Sequence, residues 1–185
     1  MIEPRVYRAA FVPALLAIVL AMFSFESRPK PLVQGLAADV LFDGAQAAGL
    51  ATRIATDNPD RRAGTPGDLA SARLVADAFS ARGFSGGGGG RPHLQRFTHA
   101  GHDLVNVIGR RAGRSQRQVV IVAARDAGRV PDAPGSAADT AALMQLARVY
   151  QGRSSQRTLV LASVDGSTLG EVGATQLVGD LAPPE

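Results

Sequence analysis

Residues Gln118–Ala124 read QVVIVAA, and residues Arg157–Val164 read RTLVLASV. Both are continuous apolar runs of strand length, without the alternation of a sheet that faces water on one side. Each therefore predicts a strand buried on both faces. Between them, Ala137–Tyr150 places Leu143, Leu146, Ala147 and Tyr150 on one helical face. Strand, helix, strand in that order is a βαβ unit, which implies parallel strands and a right-handed crossover. Ligands of such sheets bind beyond the carboxyl ends of the strands. Here those ends are Ala124–Gly128 and Val164–Thr168, so a site is expected between them.

Working outward, His93–Phe97 alternates weakly and Leu104–Gly109 (LVNVIG) is β-rich. Two antiparallel strands ahead of the βαβ unit make the sheet mixed. Asp68–Arg82 predicts a helix, because Leu69, Ala72, Val75, Ala76 and Phe79 repeat at three and four residues. Thr65 or Asp68 caps its start, and Gly83 follows its last turn. Asp43–Asn58 is helical in composition, with Ala47, Leu50, Ala51 and Ile54 on one side, and Asn58-Pro59 ends it. Gly170–Leu181 is helical again. Ser85–Gly90 (SGGGGG) is a loop with no Gly-Lys-Ser/Thr after it, so it is not a phosphate loop. The expected fold is α/β, a mixed and partly parallel sheet flanked by helices.

Composition narrows the function classes. At 185 residues and 45% hydrophobic content, the chain supports one domain with a core. Lys30 is the only lysine, and the arginines are dispersed along a chain of net charge +4. That is the coding bias of a GC-rich bacterial genome rather than a basic stripe, and nucleic acid is not an expected partner. There is no cysteine, which removes disulfides, thiolate zinc sites and a thiol nucleophile together.

The amino-terminal segment Ala9–Phe25 (AAFVPALLAIVLAMFSF) carries no charge. Seventeen such residues sit at the short end of what spans a hydrocarbon core of about 30 Å. Phe23-Ser24-Phe25-Glu26 is a poor cleavage site, so an uncleaved signal anchor is expected. Arg5, Arg8 and the free amine place the amino terminus in the cytoplasm. The expected organisation is a cytoplasmic 1–8, a single transmembrane helix 9–25, a linker 26–42 and an extracytoplasmic domain 43–185.

From Thr52 to Val178 the order of elements resembles the di-zinc aminopeptidases, metallopeptidase family twenty-eight of clan MH. The phrases that carry the likeness are RRAGTPGD (Arg61–Asp68) ahead of a long helix, Asn106–Gly109 (NVIG) on a strand, and Thr140–Tyr150 (TAALMQLARVY). The resemblance implies a zinc-exopeptidase-like three-layer sandwich, here carboxy-terminally incomplete. It also implies two zinc ions held by His, Asp and Glu ligands, with a further Glu as general base on metal-bound water.

This chain departs from that pattern at each position it contains. The family's His-x-Asp corresponds to Arg125-Asp126-Ala127, and arginine stays protonated and cannot ligate. The paired aspartates that include the bridging ligand fall on Pro134 and Gly135, or on Ala137 and Ala138 if the alignment is anchored at Gly135. The general-base Glu falls on Ser167 and the ligand Glu on Thr168, ahead of Gly170-Glu171-Val172-Gly173-Ala174. The remaining family ligands would follow Glu185. A relocated site would have to draw on Asp126, Asp132, Asp139, Asp165 and Glu171. Each also has a structural reading: Asp139 as a helix amino-terminal carboxylate, Asp165 as an acceptor for turn amides, and Arg125 as a solvated or ion-paired strand end. His99 and His102 fall on an expected loop beside Asp103, without a third ligand.

The expected function is a noncatalytic, membrane-tethered peptidase-like domain that binds or assembles with a protein or peptide, with no cofactor. The alternative is an active zinc aminopeptidase with moved ligands, or a fragment without function alone. The incomplete sheet also predicts an unpaired edge strand, and with it marginal stability or association of the part from Arg28 onward.

Overall fold

The computed structural model describes residues 11, 13–20, 42–87, 89–130 and 135–181. The chain divides into two compact units, Met1–Leu36 and Ala37–Glu185. In the first, residues 11 and 13–20 are helical (α1). The rest of the expected 9–25 span lies outside the described residues, and no described helix is long and apolar enough to cross a membrane.

The second unit runs α2 (Gly44–Asp57), α3 (Pro66–Ala81), β1 (His93–His99), β2 (His102–Arg111), β3 (Ser115–Ala124), α4 (Ser136–Val149), β4 (Arg157–Val164), a 3-10 turn (Ser167–Leu169) and α5 (Val172–Leu181). The four strands form one sheet in the order β1-β2-β4-β3. β1 pairs antiparallel with β2, and β2 antiparallel with β4. β3 lies parallel to β4, with Ala124 beside Val164, as the βαβ reading requires. The mixed, partly parallel sheet flanked by helices is therefore present.

Strand alternation sorts side chains into two layers. On one face Val105, Val107, Leu159 and Leu161 meet Ala72, Val75 and Phe79 of α3 and Leu143 and Ala147 of α4. On the other, Ile108, Val160, Ala162 and Val164 meet Leu177 of α5. α2 packs its Ala51, Ile54 and Ala55 against Ala137 and Ala141 of α4. Thr65 caps α3, its side chain accepting from the Asp68 amide, and Gly83 sits just past the helix at φ +77°. Asp68 is not the cap. It is buried within the first turn.

Two expectations need correction. β3 is not buried on both faces: it is the sheet edge, and Val120 and Val122 are 38% and 45% exposed. Its odd-numbered side chains Val119, Ile121 and Ala123 pack into the core under α4, but no described element covers the even-numbered side. His99 and His102 are not on an open loop. They are the closing pair of the β1–β2 hairpin, joined through Ala100 and Gly101, both at positive φ. A two-residue hairpin turn demands that conformation, and alanine adopts it against its usual preference.

Candidate functional site

The carboxyl ends of β3 and β4 do come together. The Arg125 amide donates to the Val164 carbonyl at 2.9 Å, so the segments following the two strands leave the sheet side by side. Arg125, Asp126 and Asp165 occupy this crest with Ser167 and Thr168.

Arg125 is wholly buried. Its Nε and Nη2 form a two-pronged pair with Oδ1 and Oδ2 of Asp68, both at 2.8 Å. Nη2 also donates to the Val105 carbonyl at 2.7 Å and lies 3.3 Å from Asp165 Oδ2, and Nη1 donates to the Ser163 carbonyl at 3.3 Å. Asp68 and Asp165 are as buried as the arginine between them. The ion-paired reading of Arg125 describes it, and the solvated one does not.

Two buried carboxylates thus share one guanidinium. With both ionised, the cluster would hold an excess negative charge away from water, which is costly. Burial pushes the Asp68 carboxyl up to about 7, against the pull of Arg125, and the neighbouring Asp165 adds to the rise.

Asp165 is also held by the backbone. Its Oδ2 accepts from the Val105 amide at 3.1 Å and its Oδ1 from the Gly166 amide at 2.8 Å. Its own amide donates to Asn106 Oδ1 at 3.0 Å. Asn106 Nδ2 donates in turn to Gln95 Oε1 and the Gly173 carbonyl. The polar chain continues to the amino-terminal part of α5 with no gap. Gly173 lets α5 approach this closely: a Cβ there would lie 2.0 Å from the Asp165 carbonyl oxygen.

Asp126 faces the two residues at the general-base and ligand-Glu positions of the resemblance. Its Oδ1 accepts from the Ser167 amide at 2.9 Å and the Ser167 hydroxyl at 2.6 Å. Its Oδ2 accepts from the Thr168 amide at 2.9 Å and the Thr168 hydroxyl at 2.6 Å. Burial acts to raise its pKa, but these four donors outweigh it and hold the carboxylate below its usual value. A carboxylate has about four lone-pair sites, and all four are taken.

Asp139 is exposed on the first turn of α4, and Glu171 is exposed at φ 60° just before α5. Gly135 precedes α4, whereas Asp132 and Pro134 lie outside the described residues. Among the described residues, no three His, Asp or Glu side chains form a group able to hold a metal ion. The donor chemistry at the crest does not fit zinc either. A guanidinium stands at the imidazole position, and the nearest carboxylates are committed to it or to Ser167 and Thr168.

The Arg125–Asp68 pair went unread in the sequence. A polar residue inside the apolar run LVNVIG was the available signal, since Asn106 is buried and anchors the network.

Solved structures share this architecture. The zinc aminopeptidase BSAP from Bacillus subtilis superposes with a TM-score of 0.65 at 12% identity, over 77% of this chain and 66% of that one. Glutaminyl cyclase from Fimbriiglobus ruber gives 0.56 at 19% identity, over 75% and 49%. A leucine aminopeptidase precursor from Bacteroides thetaiotaomicron gives 0.55 at 18%, over 68% and 47%. The fold is that of zinc aminopeptidases and glutaminyl cyclases. Identities this low establish the fold and not the chemistry. The chain spans about half the length of most of these structures. No protein-family profile matches the chain, and no curated protein does.

Proposed function

We propose that this chain is a noncatalytic peptidase-like domain, tethered outside the membrane, that binds or assembles with a protein or peptide. One observation carries the noncatalytic reading: Asp126 gives all four of its acceptor sites to Ser167 and Thr168. The side chains where the resemblance expects a base and a ligand are tied to a neighbour, and that neighbour has no acceptor left over.

The reading is tested on the purified full chain by metal analysis and by release of amino-terminal residues from peptides. Well under one zinc per chain and no hydrolysis above background are expected. Close to two zinc ions per chain, or zinc-dependent hydrolysis, removes the reading and restores the relocated-ligand enzyme. Tethering rests on the uncharged run Ala9–Phe25. The chain is expected to stay in the membrane pellet through alkaline carbonate washing. Release of a shorter soluble chain would show a cleaved signal instead.

A further inference from the structure

We infer that the groove between α3 and β1 is a docking site for an acidic peptide, one in which an apolar side chain is flanked by carboxylates. The inference names the chemistry of the partner left open by the binding reading above, and it rests on that reading.

The groove follows from where α3 lies on the sheet. Val75 and Phe79 of α3 pack on Val105 and Val107 of β2 and on Leu159 and Leu161 of β4. Leu94 pairs with Val107 and Arg96 with Val105, so these two side chains of β1 share the α3 face. Leu94 nevertheless stays 40% exposed. Between it and the helix runs a groove of about 410 Å³ with an apolar floor of Leu69, Ala72, Ala76, Leu94 and Val105.

What points to a ligand is charge rather than exposure. Arg73 of α3, Arg91 just before β1 and Arg96 within it all line this groove. Among the described residues none of the three makes a hydrogen bond or has a carboxylate within salt-bridge reach. Two acids face them. Asp77 stands on the rim, one helical turn after Arg73, and Asp103 lines the adjoining cavity, which shares Leu69 and Arg96. Asp103 already accepts the Thr98 hydroxyl at 3.0 Å. The other nearby charges turn elsewhere. His93, His99 and Arg110 alternate onto the α5 face, where His93 lies 3.9 Å from Asp180. Arg82 bonds Gln151, and Asp68 is buried against Arg125. The groove keeps an excess of positive charge over an apolar floor.

That combination selects the occupant. Arginine stems lie along apolar surface while their forks reach carboxylates. Arg91 and Arg96 are five residues apart, about 16 Å of extended chain. Charges so spread suit carboxylates carried at intervals along a peptide, a recognised use of arginine clusters. A bare anion would leave the apolar floor unused.

The test uses the full chain in a neutral detergent and an acetylated, dye-labelled heptapeptide with three glutamates on each side of one leucine. Acetylation removes the free amine that aminopeptidase action requires. Fluorescence anisotropy at low ionic strength, where exposed charges are least screened, should show saturable binding. Arg73→Glu, Arg91→Glu and Arg96→Glu should each weaken it about fivefold. Arg117→Glu makes the same charge change at an exposed position on β3 and should leave binding within about twofold of wild type. Asp77→Asn should tighten binding about twofold, which misfolding would not produce. Serine in place of the peptide's leucine should cost about tenfold. Absence of saturable binding overturns the inference, as does binding indifferent to the three groove arginines or equally sensitive to Arg117→Glu. An Asp77→Asn variant that binds no tighter overturns it too, and so does a serine peptide bound as tightly, which would mark a simple anion site. Zinc measured on the same samples separates the two ideas. A zinc-loaded chain that binds through these arginines ends the noncatalytic reading and keeps the groove. A metal-free chain that binds nothing ends the groove and keeps the noncatalytic reading.

Discussion

The crest beyond β3 and β4 and the outer edge of β3 are a few residues apart in sequence and opposite in character. At the crest, Arg125, Asp68, Asp165, Asn106 and Asp126 are buried and bonded to one another, to Ser167 and Thr168, or to the backbone. At the edge, Val120 and Val122 meet solvent. A polar cluster that satisfies itself stabilises the fold but has little left for a ligand, because any new partner must first displace an existing one. An uncovered apolar edge has the reverse property: it adds little to the fold and keeps its capacity for a partner. In a fold whose relatives include zinc enzymes, chemistry would be sought at the crest.

The hardest way to break that contrast is at its centre. Arg125→Met removes the guanidinium that stands between two buried carboxylates, Asp68 and Asp165. Breaking a buried pair from one side costs about 3–5 kcal/mol, a large share of what a domain of this size has. The variant is expected to be largely unfolded at 37 °C by circular dichroism. A cooperative transition within about 1 kcal/mol of wild type would show that the crest is wet and that its apparent closure is wrong.

The next largest effect is on pH dependence. Asp68 is held up to about 7 in the native chain, against 3.8 ordinarily. Between those values the native state carries a proton that the unfolded state has released. This contribution is therefore complete at or below about pH 3.8 and is lost as pH rises through about 7. The slope reaches at most about 1.4 kcal/mol per pH unit. Asp126, held below its usual value, works in the other direction and matters only on the acid side. Urea unfolding at pH 5 and pH 8 should show lower stability at pH 8, and Asp68→Asn should flatten that difference. Equal slopes in both proteins would mean that Asp68 is ionised throughout, matched by Arg125 alone.

How much of this was legible depended on whether the cause was local. The βαβ unit, the Thr65 cap and the Gly83 stop follow from residues within a turn or two of each other, and all three stand in the structure. The replacement of family ligand types at Arg125, Ser167 and Thr168 was readable, because it needs only residue identities. What holds those residues was not: Asp68 and Arg125 are 57 positions apart, and nothing in a linear pattern pairs them. The exposure of β3 is not written in its own run for a related reason. An apolar run reports that a strand can be buried on both faces, but whether a helix arrives to cover each face is decided elsewhere in the chain. The tight hairpin at Ala100-Gly101 escaped notice because alanine is not a residue that usually signals it.

The smallest expected effect is the sharpest test of the edge. Val122 is 45% exposed and its side chain leaves the sheet on the uncovered side. Lysine there keeps its charge in water and loses little packing, so Val122→Lys should change folding stability by no more than about 0.5 kcal/mol. The measurement is made in dilute solution, because any association of the native state would add to apparent stability by mass action. Denaturant unfolding at nanomolar chain concentration, followed by fluorescence of an attached dye, meets that condition. The same substitution made at Leu161, in the centre of the sheet, would bury a charge and abolish folding. If Val122→Lys instead costs more than about 1.5 kcal/mol in dilute solution, as core substitutions do, the outer face of β3 is covered by this chain itself. In that case the edge is part of the core, and the contrast between the two regions fails.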